Sequence, residues 1–343
     1  MTIQDRMNAL IVWGNAIAAM LDELDSNTLH EGNILDSIIT KAHHQNQWFT
    51  PDQTRRALRS LSSLLEQSEL EQWMLNYSKK IEQQKNKKRV GVIMAGNIPA
   101  VGFHDALCVL ATGNTLLAKC ANDDKILIPF LLEVLITIEP RFREDIHIVD
   151  RLENLDAVIA TGSNNSSRYF DFYFGKYPHV IRKNRNSIAV LDGTESEKQL
   201  EALADDIFAY FGLGCRNVSK LYVPEGYDFA KFFPAMQVYG SLMMHSKYMN
   251  NYDYHHALFL LNDEKFLTNN YLIVRENEAL STPVSVLHYE YYKSLPELNQ
   301  KLSDIKDQIQ CRVGVGGLPF GTSQKPGIED YADNVDTIAF LVQ

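Results

Sequence analysis

Short apolar strands that alternate with helices between residues 89 and 160 constrain this chain more than any other feature. The strands are predicted at 89–96, 115–119, 146–149 and 157–160, and the helices at 101–111 and 125–138. This alternation predicts a parallel α/β sheet. Parallel sheets bind ligands at the carboxyl ends of their strands. The loops after Ile93, Lys119 and Ala160 are therefore where we expect a binding site.

The segments on either side of this sheet have different sequence patterns. Residues 1 to about 80 are predicted to be helical, and Thr50 followed by Pro51 is typical of a helix start. A second α/β unit is predicted from about residue 190. Its elements are a helix at 197–211, a glycine turn at 212–216, a strand at 220–224, strand-like runs at 256–261 and 284–289, a helix at 295–309, a glycine-rich loop at 313–327 and a terminal strand at 337–342.

Composition excludes several classes of protein. The chain has 33 basic and 43 acidic residues, so its net charge of −10 argues against nucleic acid as a partner. The longest nearly apolar run, 126–138, is too short to span a bilayer. The first 21 residues favour an amphipathic helix over a signal peptide, because Asp5 spoils a positive start. The four cysteines have no metal-binding spacing, so we expect free thiols, no metal and a cytoplasmic protein.

Cys215 is the first candidate for chemistry. It lies between Gly214 and Arg216, directly after a predicted helix. A thiol at an exposed glycine turn beside a cation ionises more readily and can act as a nucleophile. The alternative is a small buried hydrophobic residue, which also accounts for Cys108, Cys120 and Cys311.

Two loops of the parallel sheet carry further candidates. Asn97, in the Gly96–Pro99 turn, can donate its side-chain amide to an oxyanion, although an asparagine that only shapes a turn is the simpler interpretation. Gly162 and Ser163 can bind a cofactor phosphate through backbone N–H groups. A plain turn between strand and helix explains these two residues equally well.

Taken together, six segments in this order resemble the aldehyde dehydrogenase superfamily from about Val90 onward. They are VGVIMAGNIPA (90–100), ATGNTLLAKCAN (111–122), DAVIATGSNNSS (156–167), IFAYFGLGCRNVSKLYVPE (207–225), TPVSVLHYE (282–290) and RVGVGGLPFGTSQKPG (312–327). The chain is most similar to the acyl-CoA reductase branch, which includes the fatty-acid reductase of bacterial luminescence. This resemblance implies an aldehyde-dehydrogenase-like α/β fold with a Rossmann-like cofactor domain, a second α/β catalytic domain and a helical amino-terminal segment.

The resemblance also implies roles for individual residues. Cys215 is the implied nucleophile, and Asn97 with the backbone N–H of Cys215 stabilises the oxyanion. Gly214 and Pro99 support these two loops. The implied cofactor-binding residues are Lys119, Asn122, Gly162, Ser163 and Glu278.

One departure from the superfamily pattern bears on the reaction. Oxidative members carry a glutamate that activates water to hydrolyse the thioester, and its position falls near Arg182 in this chain. The loss suits an enzyme whose thioester must survive until hydride arrives. A base supplied from elsewhere is the alternative. A further departure is Ser166–Ser167, where the superfamily often has a glycine.

The resemblance to the acyl-CoA reductase branch implies reduction of a fatty acyl-CoA, or another acyl thioester, to an aldehyde through an acyl-cysteine. Two alternatives stay open: oxidation of an aldehyde to an acid or acyl-CoA with NAD(P), and a noncatalytic nucleotide-binding subunit of the same fold. The predicted domains are a helical segment (1–88), a dinucleotide-binding domain (89–192), a catalytic cysteine domain (193–333) and a carboxyl-terminal strand (334–343). Because the last strand resembles the superfamily's intersubunit strand, we expect a homodimer.

The cofactor predicted from the resemblance is NADPH, with NADH as the alternative. NAD-preferring relatives commonly have a glutamate three residues beyond the lysine that corresponds to Lys119, and it accepts the ribose hydroxyls. Here that position is Asn122, which is neutral and leaves Lys119 to face a 2′-phosphate. Asp123 and Asp124 follow directly, and either one can take the place of the glutamate.

Overall fold

The computed structural model of the protein describes residues 1–26, 33–84, 86–162 and 164–343. These residues form two compact units. The first unit consists of Met1–Lys183 and Gly327–Gln343, and the second of Asn184–Pro326.

The first unit is built on a five-stranded parallel sheet in the order β3-β2-β1-β4-β5. Its strands are β1 (Arg89–Ile93), β2 (Thr115–Lys119), β3 (Ile146–Ile148), β4 (Ala157–Thr161) and β5 (His179–Arg182). Its helices are α1 (Ile3–Asp25), α2 (Ile34–Gln45), α3 (Pro51–Leu64), α4 (Gln67–Leu75), α5 (Ser78–Glu82), α6 (Phe103–Ala111), α7 (Leu127–Ile138), α8 (Asn164–Phe174) and α13 (Thr337–Leu341).

Apolar side chains cover both faces of this sheet. On one face, Trp13 of α1 stacks on Phe103 of α6 at 4.7 Å between ring centroids and donates its indole N–H to the Leu131 carbonyl of α7. On the other face, Val158 and Ala160 of β4 are fully buried in a cluster that includes Phe170, Phe174 and Tyr177. The near-continuous burial of β1, β2 and β4 is what a parallel sheet with two covered faces requires.

The second unit contains a six-stranded sheet in the order β11-β6-β7-β10-β9-β8. Its strands are β6 (Asn186–Val190), β7 (Val218–Pro224), β8 (Leu267–Thr268), β9 (Ile273–Glu276), β10 (Val286–Tyr292) and β11 (Ile309–Gly314). Its helices are α9 (Glu197–Phe208), α10 (Phe232–Met236), α11 (Ser246–Leu261) and α12 (Leu295–Asp304). All neighbouring strands are parallel except β8 and β9.

The predicted fold class is confirmed, but two predicted strands are wrong. Residues 256–261 belong to helix α11, in which Tyr252 and Phe259 are buried two turns apart. Residues 337–341 form helix α13, and Val342 caps its end, where a terminal strand was predicted. Asp336 caps that helix by accepting the Ala339 N–H at 2.8 Å. We expected a homodimer because of the predicted terminal strand, and this strand is absent from the described residues 337–342. The homodimer therefore stays a prediction without that support.

The division into units also differs from the predicted domains. The first unit ends at Lys183 rather than 192, because β6 pairs with β7 and β11 in the second sheet. The segment from Gly327 onward returns to the first unit, where the Tyr331 hydroxyl accepts the indole N–H of Trp73 at 2.7 Å. The amino-terminal helices belong to this unit as well. Among the described residues, no helix combines the length and hydrophobicity needed to cross a membrane.

Candidate active site

The carboxyl edge of the first sheet gathers three of the predicted segments. β1 pairs with both β2 and β4, and Ile93 lies opposite Lys119 on one side and Ala160 on the other. The Asn97 loop, Lys119 and Gly162 therefore follow or end neighbouring parallel strands at one edge, as predicted. Ser163 lies outside the described residues.

The Asn97 loop combines an exposed tip with a buried base. Asn97 is exposed, whereas Pro99 and Ala100 are buried. Ala100 has a φ of +53°, which is an uncommon conformation for a residue with a side chain. Its N–H donates to the Asp124 carboxylate at 2.9 Å. The loop thus places an exposed residue, Asn97, on a buried support.

The residues present at this edge fit a nicotinamide dinucleotide. Lys119 ends β2 and is partly exposed. Asn122 is exposed, and its carbonyl accepts the Gln45 side-chain amide at 2.6 Å. A cation and an amide at the carboxyl edge of a parallel sheet match the ribose and phosphate groups of such a cofactor.

Asp124 does not have the surroundings of a ribose ligand. It is only 2% exposed, and its two carboxylate oxygens accept the N–H groups of Ala100 and Leu127 at 2.9 and 3.2 Å. Burial raises the pKa of this carboxyl group to about 6. Of the two aspartates that can replace the family glutamate, Asp123 is the exposed one.

In the second unit, the loop before β7 exposes the thiol of Cys215. All four cysteines lie in the described ranges, and Cys215 is the one that is exposed. Burial raises the pKa of the Cys108 thiol well above its usual value and that of Cys120 to about 11. Cys215 is thus exposed, whereas Cys108 is buried and Cys120 is partly buried.

A sharp turn places this cysteine after helix α9. Tyr210, Phe211 and Gly212 have consecutive positive φ angles of 52°, 60° and 75°. Asn217 fastens the turn, because its side-chain oxygen accepts the Gly214 N–H at 2.8 Å and its amide donates to the Ala209 carbonyl at 2.8 Å. Gly214 is thus tied to Asn217 at the start of the cysteine loop, and its predicted supporting role stays a prediction.

Neighbouring segments of the second unit fix the cysteine backbone. Ser187, at the start of β6, is fully buried and donates its hydroxyl to the Cys215 carbonyl at 2.9 Å. The same hydroxyl lies 3.0 Å from the sulfur of Cys311. The guanidinium of Arg216 donates to the Ser323 carbonyl at 2.5 Å. The backbone on both sides of the nucleophile candidate is therefore anchored.

Glu278 is exposed and lies on a segment that buried side chains hold in place. Its carbonyl accepts the Lys220 ammonium at 2.7 Å, and the Leu280 carbonyl accepts the Ser219 hydroxyl at 2.7 Å. Between them, the Ala279 carbonyl lies 2.9 Å from Nδ1 of His288. Three consecutive carbonyls are thus bound by side chains from β7 and β10, which fixes the backbone that carries Glu278.

Arg182, near which the family glutamate falls, is a buried structural cation. It forms an ion pair with Asp105 of α6, and its guanidinium also donates to the Thr337 hydroxyl at 3.0 Å. Arg182 is 4% exposed and Asp105 is 6% exposed. With its charge paired in this way, Arg182 cannot replace the carboxylate that activates water.

Sequence analysis missed most of the residues that support the two loops. Four of these supports, Asp124, Ser187, Asp206 and Lys220, are buried polar residues with hydrogen-bond partners distant along the chain. Asn217 is also buried but bonds to nearby Gly214 and Ala209. The available signal was a polar residue on an apolar face: Asp206 lies among buried Leu203, Ala204 and Ile207 of α9. In the described parts of the chain, no group of three histidine, cysteine or carboxylate side chains is placed to hold a metal ion.

Several solved structures share this fold. An aldehyde dehydrogenase from Brucella melitensis biovar abortus 2308 is 12% identical, covers 89% of this chain and 71% of its own, and has a TM-score of 0.62. An NADP-dependent enzyme from E. coli is 13% identical over 91% of this chain and 73% of its own, with a TM-score of 0.64. Glyceraldehyde-3-phosphate dehydrogenase GapN from Methanocaldococcus jannaschii DSM 2661, complexed with NADP, is 12% identical over 91% and 76%, with a TM-score of 0.61.

Sequence comparison adds the family. No curated protein sequence matches the chain. The sequence profile of a protein family described as acyl-CoA reductase (LuxC), however, matches residues 7–233, which include Asn97, Lys119 and Cys215. The chain therefore has the aldehyde dehydrogenase fold and belongs to the acyl-CoA reductase (LuxC) family of oxidoreductases.

Proposed function

We propose that the protein reduces an acyl-CoA, with a fatty acyl group as the expected substrate, to the corresponding aldehyde. The observation that carries this proposal is the exposed Cys215 thiol on an anchored glycine turn, within the part of the chain that matches the acyl-CoA reductase family. A fixed, accessible thiol is what attack on a thioester requires.

Each residue has a defined part in this reaction. The Cys215 thiolate attacks the thioester carbonyl, CoA leaves, and the acyl group stays on the cysteine sulfur. Asn97 and the backbone N–H of Cys215 donate to the oxyanion that forms during attack. A reduced nicotinamide cofactor, for which we assign Lys119, Asn122, Gly162, Ser163 and Glu278, supplies the hydride when bound. The thiohemiacetal on Cys215 then collapses to release the aldehyde.

The state of Arg182 favours reduction over hydrolytic oxidation. A carboxylate base near this position would activate water against the acyl-cysteine. The side chain present is instead a cation bound to Asp105 and Thr337. An acyl-cysteine without such a base survives longer in water. This stability is needed by a reductase, and it is a disadvantage in an enzyme that forms acids.

The test is incubation with acyl-CoAs of increasing chain length, following NADPH and NADH oxidation together with release of free CoA. We expect cofactor oxidation and aldehyde formation in equal amounts. Mass spectrometry without cofactor should find the acyl group on Cys215, and Cys215→Ala should abolish both label and turnover. Cys108→Ala is the matched control, because Cys108 is buried. Label on another cysteine, or acid as the main product, would contradict the proposal.

A further inference from the structure

The Asn97 loop and the Lys119–Asp124 segment are fastened together at three points within the first unit. The Met94 N–H donates to the Lys119 carbonyl at 3.0 Å. A side chain at Gly96 would meet the Cβ of Ala121 at 2.8 Å, so the two backbones are in close contact there. At the third point, the Ala100 N–H donates to Asp124.

The third point is the strongest of the three. The Ala100 N–H lies 2.9 Å from one oxygen of the Asp124 carboxylate, and both residues are at least 98% buried. A hydrogen bond to a carboxylate is stronger than one between neutral groups. Ala100 needs such a partner, because its positive φ is unfavourable for a residue with a Cβ atom. The bond therefore fixes the end of the turn that begins at Asn97.

Asp124 also binds the start of helix α7, and a test must separate this role from its hydrogen bond with Ala100. Its other oxygen accepts the Leu127 N–H at 3.2 Å, where helix α7 begins. Asp124 lies two residues before Ile126, the N-cap of α7, and a serine hydroxyl can also accept a backbone N–H a few residues further along the chain. The serine hydroxyl is one bond shorter than a carboxylate and offers a single oxygen. It can satisfy the helix start but not the Ala100 N–H at the same time.

We propose that Asp124 is a positioning residue that holds the Asn97 loop in its working geometry against the segment carrying Lys119 and Asn122. This inference rests on the proposed function, in which Asn97 acts on the oxyanion. Because an oxyanion donor stabilises mainly the transition state, a loosened Asn97 loop lowers kcat and leaves substrate binding nearly unchanged. Displacement of such a group by about 1 Å is enough to lower a rate roughly a hundredfold.

The test compares Asp124→Ser and Asp124→Asn with Asp145→Asn. Asp145 is also buried but lies just before β3, where it pairs with Lys87. We expect Asp124→Ser to lower kcat for acyl-CoA reduction at least tenfold, with KM for acyl-CoA changed less than about twofold. Asp124→Asn, which keeps one acceptor oxygen, should recover part of the loss. Asp145→Asn should leave kcat near the wild-type value.

Hydrogen exchange of residues 95–103 measured by mass spectrometry provides a readout that does not depend on turnover. The Ala100 amide should exchange faster in Asp124→Ser, while the amides at the start of α7 stay protected. Wild-type kcat and wild-type exchange in Asp124→Ser would show that Asp124 only caps α7, and the inference would be overturned. If the wild type reduces no acyl-CoA, the proposed function fails, and the exchange of Ala100 still decides whether Asp124 holds the loop.

Discussion

The carboxylate of Asp206 accepts the backbone N–H of Ser323 at 2.9 Å, which joins helix α9 to the glycine-rich loop that follows β11. Its second oxygen accepts the Gly321 N–H at 2.7 Å. Because Arg216 donates to the Ser323 carbonyl, this short segment is bound both by α9 and by the residue next to Cys215. The loop after β11 is thus part of the frame that holds the cysteine.

Replacing Asp206 with alanine should destabilise the protein. Asp206 and Ser323 are fully buried, so the Ser323 N–H loses its acceptor away from water. We expect the free energy of unfolding to fall by about 2 kcal/mol, measured by urea denaturation. Asp253→Asn, at an exposed position on α11, is the control and should leave the midpoint unchanged. Equal stability of Asp206→Ala and wild type would show that the loop does not depend on this carboxylate.

For Asn97, replacement by alanine should lower turnover without weakening cofactor binding. An oxyanion donor contributes in the transition state, and loss of one typically lowers kcat by roughly a hundredfold or more. Steady-state kinetics with saturating NADPH, together with a direct measurement of the cofactor Kd, separates the two effects. A variant in which only KM rises would assign Asn97 to binding or to the turn.

Cofactor preference should respond to residue 122. We expect the wild type to use NADPH with a higher kcat/KM than NADH, because Asn122 places no charge beside the 2′-phosphate. Asn122→Glu should reverse this preference by at least about tenfold, since a carboxylate repels the phosphate and accepts the ribose hydroxyls. Asn262→Glu, on the surface of the second unit, should not change the ratio. A wild type that clearly prefers NADH would point to Asp123 as the ribose ligand.

The stability of the wild type relative to Asp124→Asn should depend on pH. The pKa of Asp124 is about 6 in the folded protein against 3.8 as the ordinary value, because of burial. A carboxyl group whose pKa is raised by folding stabilises fully below pH 3.8, and this contribution is lost as the pH rises through 6. The backbone N–H groups of Ala100, Leu127 and Ile128 act in the opposite direction to burial and lower the pKa of Asp124. The Cys120 thiol, whose pKa burial raises to about 11, stays neutral in this range.

Chemical denaturation between pH 4 and pH 7.5 measures the effect. The difference in unfolding free energy between wild type and Asp124→Asn should fall by about 2–3 kcal/mol across this range, to the disadvantage of the wild type at high pH. Since asparagine does not titrate, groups common to both proteins cancel in the difference. A difference that stays constant from pH 4 to pH 7.5 would mean that Asp124 titrates normally.

Four of the five strands of the first sheet were predicted, because each is a short apolar run bounded by glycine or polar turn residues, whereas β5 was not predicted. The errors at 256–261 and 337–342 both concern short apolar segments. Residues 337–342 are rich in β-branched and aromatic residues, which favour strands, whereas 256–261 is an apolar run too short for its period to separate strand from helix. Burial instead follows a helical period, with Ile338 and Leu341 of α13 both fully buried. At 337–342, tertiary packing overrode a weak local preference for a strand.

Parts of the candidate site followed from motifs, whereas their supports did not. Cys215, Asn97 and Lys119 could be recognised because each lies in a short segment that resembles a motif of the aldehyde dehydrogenase superfamily. The bond from Ser323 to Asp206 joins residues 117 positions apart, and the bond from Ser187 to Cys215 joins residues 28 apart. Such pairings depend on the order of the strands in the sheet, and this order could not be predicted from the local sequence.

The return of residues 327–343 to the first unit has a consequence for folding during synthesis. The whole second unit is translated before this segment exists, so a contiguous Asn184–Pro326 can fold while the first unit is still incomplete. Before Tyr331 is translated, the indole N–H of Trp73 lacks the hydroxyl that accepts it. Before Thr337 is translated, the ion pair of Arg182 and Asp105 lacks the Thr337 hydroxyl to which Arg182 donates. During synthesis on the ribosome, the first unit is therefore the first to be translated in part and the last to complete its fold.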